Sequence, residues 1–108
     1  MPIELVKLKN LKTLDLSKNS LVGTVHKEIH YLEDLQTFDL STNKFTSTLP
    51  REIGLIRGLT VLNVVQNVFS GKIPHELSNV TSLKFISVGK NLMHGDLKMI
   101  NGLVDLGK

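Results

Sequence analysis

The chain has 108 residues, of which 41% are apolar, 21% charged and 5% aromatic, and its formal net charge is +3. This length suits one domain, and the apolar share can build a core, so general disorder is excluded. The basic residues are dispersed among few aromatics, which argues against a nucleic-acid surface. We expect no membrane-inserting segment and no signal peptide within these residues, and the absence of cysteine excludes a disulfide scaffold or a thiolate site.

The sequence repeats with a period of 24 residues. Seven positions of the repeat are apolar in each of the first three units, which makes all 21 positions apolar. Such self-similarity predicts a stack of equivalent structural units in a single domain. We define a partial repeat at 1–10 and units one to four at 11–34, 35–58, 59–82 and 83–106. In unit four the apolar positions Ile100, Leu103 and Leu106 come one residue early.

A short strand is predicted at the start of each unit, where apolar and polar residues alternate after the leading leucine. Strands that recur in one direction every 24 residues must pair in parallel, so the rest of each unit is the return path. The polar positions of these strands then face solvent and form columns across the stack.

An asparagine follows the strand in every unit, at Asn19, Asn43, Asn67 and Asn91. A turn that enters the core leaves backbone donors and acceptors in need of partners. An amide side chain both donates and accepts, so a stacked column of asparagines can supply these partners, which a carboxylate could not. We therefore predict a structural asparagine ladder.

Glycine and proline mark the return path. Gly23, Gly71 and Gly95 occupy one repeat position, where we expect a turn with positive φ. Pro50 and Pro74 occupy a later position and suit an extended segment. The residues that follow have apolar positions three apart, which predicts short 3₁₀ turns at Lys27–Leu32, Arg51–Ile56 and His75–Val80.

These motifs resemble the plant extracellular type of the leucine-rich repeat family, whose pattern is LxxLxxLxLxxNxLxGxIPxxLxx. Unit three, LTVLNVVQNVFSGKIPHELSNVTS, matches this pattern nearly throughout. Ser47 replaces the glycine in unit two, Val25-His26 replaces Ile-Pro in unit one, and unit four lacks the proline. The resemblance implies an α/β-type solenoid of about four repeats of 23–24 residues. It places a parallel β-sheet on the concave side and short 3₁₀ or irregular turns on the convex side.

The resemblance also implies a function. It indicates a non-catalytic recognition module from the ectodomain of a receptor-like kinase or receptor-like protein, in signalling or defence, at the cell surface or outside the cell. Its partners would be a peptide, a protein ligand or a co-receptor. Two alternatives are a soluble inhibitor of a secreted cell-wall hydrolase and a truncated gene product without independent activity. Family members usually carry cysteine-bearing caps, and without them we expect exposed apolar ends that favour end-to-end self-association.

The strand columns offer candidates for ligand binding. Units one and two present Asp15 and Asp39 on the exposed face of the sheet, whereas units three and four become more apolar. Grouped exposed apolar residues suggest an interaction site. The predicted contact patch consists of Val61, Asn63, Val65, Phe85 and Ser87. The competing interpretation is that these residues serve β-propensity or cover the end of the stack. Four strands of seven residues offer about 440 Å², less than a stable interface needs, so we expect weak binding by this chain alone.

No residue set suggests catalysis, a cofactor or a metal. His26 and His30 are four residues apart, but no third ligand is evident, so we interpret them as surface histidines. No nucleophile, base and orienting group stand out together. Asn79-Val80-Thr81 fits the N-glycosylation sequence, and we expect it on an accessible outer turn.

Overall fold

The computed structural model describes residues 1–95 and the backbone of 104–105. Its strands, in chain order, are Thr13–Asp15 (β1), Val22–Gly23 (β2), Thr37–Asp39 (β3), Lys44–Phe45 (β4), Val61–Asn63 (β5), Ser70–Lys72 (β6), Phe85–Ser87 (β7), Leu92–His94 (β8) and Val104–Asp105 (β9). β1, β3, β5, β7 and β9 form one parallel sheet in that order. The predicted parallel sheet is therefore confirmed.

The register of this sheet follows the repeat for its first four strands. Thr13 pairs with Thr37, Thr37 with Val61, and Val61 with Phe85, each one period further along the chain. β9 differs, because Val104 pairs with Phe85 only 19 residues before it (104 − 85). The early apolar positions predicted at Ile100, Leu103 and Leu106 lie outside the described residues.

Two smaller parallel sheets follow the asparagines and were not predicted. β2 pairs with β4, and β6 pairs with β8. They form because the chain stays extended after each asparagine and lies beside the same segment of the next unit. The Lys44 amide donates to the Leu21 carbonyl and the Leu92 amide to the Phe69 carbonyl, each at 2.8 Å.

Within the described residues, the return paths of the partial repeat and of units one to three each carry one 3₁₀ helix, at Ile3–Lys7 (η1), Lys27–Tyr31 (η2), Arg51–Leu55 (η3) and His75–Asn79 (η4). The predicted 3₁₀ turns are confirmed to within one residue. Pro50 and Pro74 precede η3 and η4 in extended conformation, with φ of −70° and −62°. His26 precedes η2 with φ −71°, so unit one adopts the same path without proline.

The core lies between the sheet and the 3₁₀ helices. Of the 21 apolar repeat positions in units one to three, 18 are buried, and the exceptions, Leu11, Leu16 and Leu21, are partly buried against the core. Phe45 and Phe69 are fully buried and stack on each other with ring centroids 6.1 Å apart. Contacts between neighbouring units therefore supply the burial that one unit could not achieve alone.

The asparagines link successive units by hydrogen bonds. The Asn43 amide nitrogen donates to the Leu16 carbonyl of unit one at 2.8 Å and to the Leu40 carbonyl of its own unit at 3.1 Å. The Asn43 carbonyl oxygen accepts from the Leu21 amide at 3.0 Å. Asn67 and Asn91 repeat this pattern one and two units later. Asn19 is exposed and donates only to carbonyls of its own unit.

Two turns of the return path come unusually close together. Gly54 in η3 is buried, and a methyl group at its Cα would lie 2.5 Å from the Glu76 carbonyl oxygen and 2.7 Å from the Glu76 Cβ. The first of these atoms belongs to the backbone of η4 and cannot turn aside as a flexible side chain would. Glycine is therefore required here by the approach of units two and three.

The repeat position predicted to take positive φ does so in every unit. Gly23, Gly71 and Gly95 have φ of 99°, 76° and 131°, and Ser47 has φ 69° at the same position in unit two. A serine in this left-handed region is strained by its Cβ, typically by about 1 kcal/mol or more.

We expect Ser47→Gly to raise the free energy of unfolding by about 1 kcal/mol, because it relieves this strain. The contacts that Ser47 supplies to unit three use its carbonyl oxygen, which accepts from the Ser70 amide and is kept in the variant. Urea denaturation would measure the change. The matched control is Gly71→Ser, whose added Cβ would also lie 2.8 Å from the Thr48 Cγ2, and which should be destabilising. A destabilised Ser47→Gly variant would contradict this explanation.

Candidate ligand-binding surface

The outward side chains of β1, β3, β5 and β7 form a surface that we call the sheet face. Its first column contains Thr13, Thr37, Val61 and Phe85, which are paired neighbours in the sheet. Adjacent strands of a sheet lie about 4.8 Å apart, so residues in a column contact one another. The column changes from hydroxyl-bearing side chains in units one and two to apolar ones in units three and four.

The second column of the sheet face is polar, and its side chains in units one to three accept hydrogen bonds from backbone amides. Asp15 accepts from the Ser17 amide, Asp39 from the Ser41 amide and Asn63 from the Val65 amide, at 2.9, 2.9 and 3.2 Å. Each bond spans two residues and fixes the chain where it leaves the strand. Asp15, Asp39 and Asn63 were predicted as ligand contacts, and this local role was not predicted, although the Asp-X-Ser spacing of units one and two is a sequence signal for it.

Asp15 remains an exposed anion on this face. The Ser17 hydroxyl and the Ser17 amide both donate to its carboxylate and hold the pKa of Asp15 below its usual value, and the nearby Lys18 charge acts in the same direction. The carboxylate therefore stays charged at neutral pH and can accept a further hydrogen bond from a ligand.

The apolar part of the sheet face covers β5, the residues just after its end and the neighbouring β7. Phe85 is 36% exposed, and Val61 and Val65 are partly exposed. We call these three residues the apolar patch. Beside Val65 in the next unit is Gly89, which adds no side chain to the surface.

One predicted contact residue is placed differently. Ser87 is only 6% exposed, so its side chain is not part of the open surface as the alternation of β7 had indicated. Alternation along a strand predicts which side of the sheet a residue lies on, but not what covers that side. The sheet face therefore brings together Val61, Asn63, Val65 and Phe85, without Ser87.

Two exposed apolar residues beside the sheet face were not predicted. Val68 and Leu92 occupy one repeat position just after the asparagine, and they are 43% and 68% exposed. Units one and two carry Ser20 and Lys44 there. The apolar character of units three and four thus continues around the edge of the stack, and comparison of this column in the sequence would have found it.

Within the described part of the chain, no three His, Asp or Glu side chains come together as metal ligands. His26 Nε2 lies 2.7 Å from the Met1 carbonyl oxygen, and His30 Nδ1 lies 3.1 Å from the Lys27 carbonyl oxygen. Each histidine thus lies within hydrogen-bonding distance of a backbone carbonyl. The sheet face offers apolar contact beside hydrogen-bond acceptors, an arrangement suited to recognition. No helix among the described residues has the length and apolar content to cross a membrane.

Comparison with known proteins gives a consistent result. The family model described as Leucine Rich Repeat matches residues 10–32, 34–55 and 58–80. No curated protein sequence is significantly similar to the chain.

Solved structures of plant proteins resemble this chain over nearly its whole length. The plant peptide hormone receptor RGFR1, solved in complex with RGF2, is 32% identical with a TM-score of 0.92 over 99% of this chain and 18% of that one. The Arabidopsis receptor kinase HAESA, solved with the peptide hormone IDA and the co-receptor SERK1, is 30% identical with a TM-score of 0.89 over 99% of this chain and 19% of that one. A chain of the BIR3–SERK2 complex from Arabidopsis thaliana is 30% identical with a TM-score of 0.88 over 100% of this chain and 61% of that one. The chain thus spans less than two thirds of the length of each.

Proposed function

Because the chain belongs to the leucine-rich repeat family of the plant extracellular type, we propose that it recognises a peptide or protein through the sheet face of units three and four. It acts as a non-catalytic module of a receptor-like protein or receptor-like kinase ectodomain, at the cell surface or outside the cell. The observation that carries the proposal is the change of the sheet face from polar to apolar between units two and three.

The apolar patch supports recognition because it groups Val61 and Phe85, which are paired on adjacent strands, with Val65 just after the end of β5. Asn63, the last residue of β5, lies between Val61 and Val65 in the chain and adds an amide next to the apolar side chains. A ligand that covers the patch would remove apolar area from water while its backbone bonds to the polar edge. Asp15 and Asp39 lie on the same face at the other end and would favour a basic group there.

The scaffold supports this function by being preformed. The core beneath the sheet face is buried and the strands are held in register by the units on both sides. Binding then orders little of the receptor, which leaves more of the contact energy for affinity. The small area of the face, about 440 Å², still limits the chain alone to weak binding, and a longer array would enlarge the contact.

The proteins named above support the choice of ligand class. RGFR1 was solved with RGF2, and HAESA with a peptide hormone and a co-receptor. Within the proposal, a peptide or a co-receptor is therefore the preferred partner of this chain, in signalling or defence.

We expect the double variant Val61→Ser with Phe85→Ser to lose the peptide or protein partners that the wild-type chain captures from plant cell-wall wash fluid. The reason is that these two side chains form the paired centre of the apolar patch. Capture on immobilised chain followed by mass spectrometry would measure the loss.

The matched control is Tyr31→Ser with Leu55→Ser, which removes two exposed apolar side chains from the opposite side of the stack. This control should retain the wild-type partners. Equal capture by the wild-type chain and the Val61→Ser, Phe85→Ser variant would contradict the proposal, and selective capture of a hydrolase would favour the inhibitor alternative.

A further inference from the structure

The side of the stack opposite the sheet carries a column of residues at the ends of the 3₁₀ helices. Its members in units one to three are Tyr31, Leu55 and Asn79, the last residues of η2, η3 and η4. Tyr31 and Leu55 are 49% and 58% exposed, although both are large and apolar. Unit three therefore places an exposed amide where the two preceding units place exposed apolar side chains.

Asn79 begins the sequence Asn79-Val80-Thr81, in which both the asparagine and the threonine are exposed while the intervening valine is buried. The two polar residues line a shallow pocket together with Gly54, Leu55 and Arg57. This pocket lies between the outer turns of units two and three. The acceptor sequence and the exposed Leu55 are thus brought to one place by the stacking of the units.

We propose that Asn79 is an N-glycosylation site and that the first sugar of its glycan packs in this pocket against Leu55. Asn-X-Thr is the acceptor sequence for N-linked glycans, which require a surface position. The apolar C–H face of the sugar ring would cover the Leu55 side chain, and the exposed Arg57 guanidinium would donate hydrogen bonds to the sugar oxygens.

The modification is a group transfer from an oligosaccharide carried on a lipid diphosphate in the secretory pathway. The Asn79 Nδ2 forms a bond to the anomeric carbon of the oligosaccharide as the bond from that carbon to the diphosphate oxygen breaks. One amide proton is lost, and the lipid diphosphate leaves. The transferase of the host supplies the catalysis, and this chain supplies the acceptor amide and the Thr81 hydroxyl.

The glycan would cover the outer turns of units two and three and leave the sheet face open, because the two lie on opposite sides of the core. It would also remove one of the exposed apolar side chains from contact with other proteins. The inference concerns a modification and does not depend on the proposed ligand, so its test needs no binding partner.

The first experiment asks whether Asn79 is modified. The chain is secreted from a plant or insect host behind a cleavable signal, and its mass is measured before and after enzymatic removal of N-glycans. We expect the mass of one glycan on the wild-type chain and on Thr81→Ser, and none on Asn79→Gln or Thr81→Ala. A wild-type chain without a glycan, or a glycan that persists in Asn79→Gln, would overturn the assignment.

The second experiment asks where the glycan packs. Hydroxyl-radical labelling of Leu55 is compared between the glycosylated chain and the Thr81→Ala chain, with Tyr31 as the internal reference one unit away. We expect labelling of Leu55 relative to Tyr31 to fall several-fold when the glycan is present. An unchanged ratio would show that the sugar does not cover Leu55.

Discussion

Asn67→Ala should lower the free energy of unfolding by about 3 kcal/mol. Asn67 is 8% exposed, and its amide nitrogen donates to the Leu40 carbonyl at 2.8 Å and the Val64 carbonyl at 3.2 Å. Its carbonyl oxygen accepts from the Phe45 amide at 3.0 Å. In the variant each of these carbonyls still accepts a hydrogen bond from another asparagine, since Asn43 also donates to Leu40 and Asn91 to Val64. The buried Phe45 amide would lose its partner, and this orphaned donor accounts for much of the loss.

Asn19→Ala is the matched control, because Asn19 is exposed and bonds only to the Leu16 and Ser17 carbonyls of its own unit. We expect it to cost less than about 1 kcal/mol. Asn67→Asp keeps an acceptor for Phe45 but places a carboxylate against carbonyl oxygens, so it should be at least as damaging as alanine at neutral pH. Urea denaturation would rank the three variants by their free energy of unfolding. Equal losses of stability for Asn67→Ala and Asn19→Ala would disprove the ladder as a stabilising element.

Gly54→Ala should destabilise the chain by about 2 to 3 kcal/mol, because the new methyl group meets the backbone of η4. The closest atom, the Glu76 carbonyl oxygen at 2.5 Å, belongs to the neighbouring unit. Relief of this steric clash therefore requires units two and three to move apart, and that movement would loosen the buried contacts between them. Thermal or urea unfolding followed by circular dichroism would measure the loss.

The control for this variant is Gly58→Ala in the same unit. A methyl group there would have only the Leu35 carbonyl oxygen nearby, at 3.9 Å, which is ordinary contact. Alanine restricts the unfolded chain more than glycine does, so Gly58→Ala should be neutral or stabilising by up to about 0.5 kcal/mol. The two substitutions are chemically identical, and only Gly54→Ala should lower the free energy of unfolding. If Gly54→Ala left the free energy of unfolding unchanged, units two and three could separate at little cost, which would contradict this prediction.

Much of the fold could be predicted because every unit restates the same pattern. The strands β1, β3, β5 and β7, the positive φ at Gly71 and the 3₁₀ helix at Arg51–Leu55 each follow from positions that recur in other units. Recurrence removes the ambiguity that a single short apolar segment carries.

Features that belong to one unit could not be predicted in this way. Gly54 occupies a position where units one and three carry His30 and Ser78, so nothing in the repeat indicates that η3 and η4 approach so closely. Ser87 is buried although the alternation of β7 places it outward, and its repeat position does not indicate this burial, since Asp15 at the same position in unit one is exposed. The apolar patch was predicted from its columns. The bonds of Asp15 and Asp39 to the amides two residues further on were not predicted, because a repeat position on the sheet face does not indicate bonds within one unit.

The asparagine ladder runs in one direction along the chain, and this direction affects folding during synthesis. Asn43 accepts from an amide of unit one, Asn67 from unit two and Asn91 from unit three, so each asparagine completes the turn made before it. During synthesis, the backbone amide of a turn that has just left the ribosome gains its asparagine partner only after the following unit has been synthesised. At 5–20 residues per second this delay is about 1 to 5 s for a period of 24 residues. Folding in the cell should therefore trail translation by one unit, with the newest turn always the one open to chaperones and proteases.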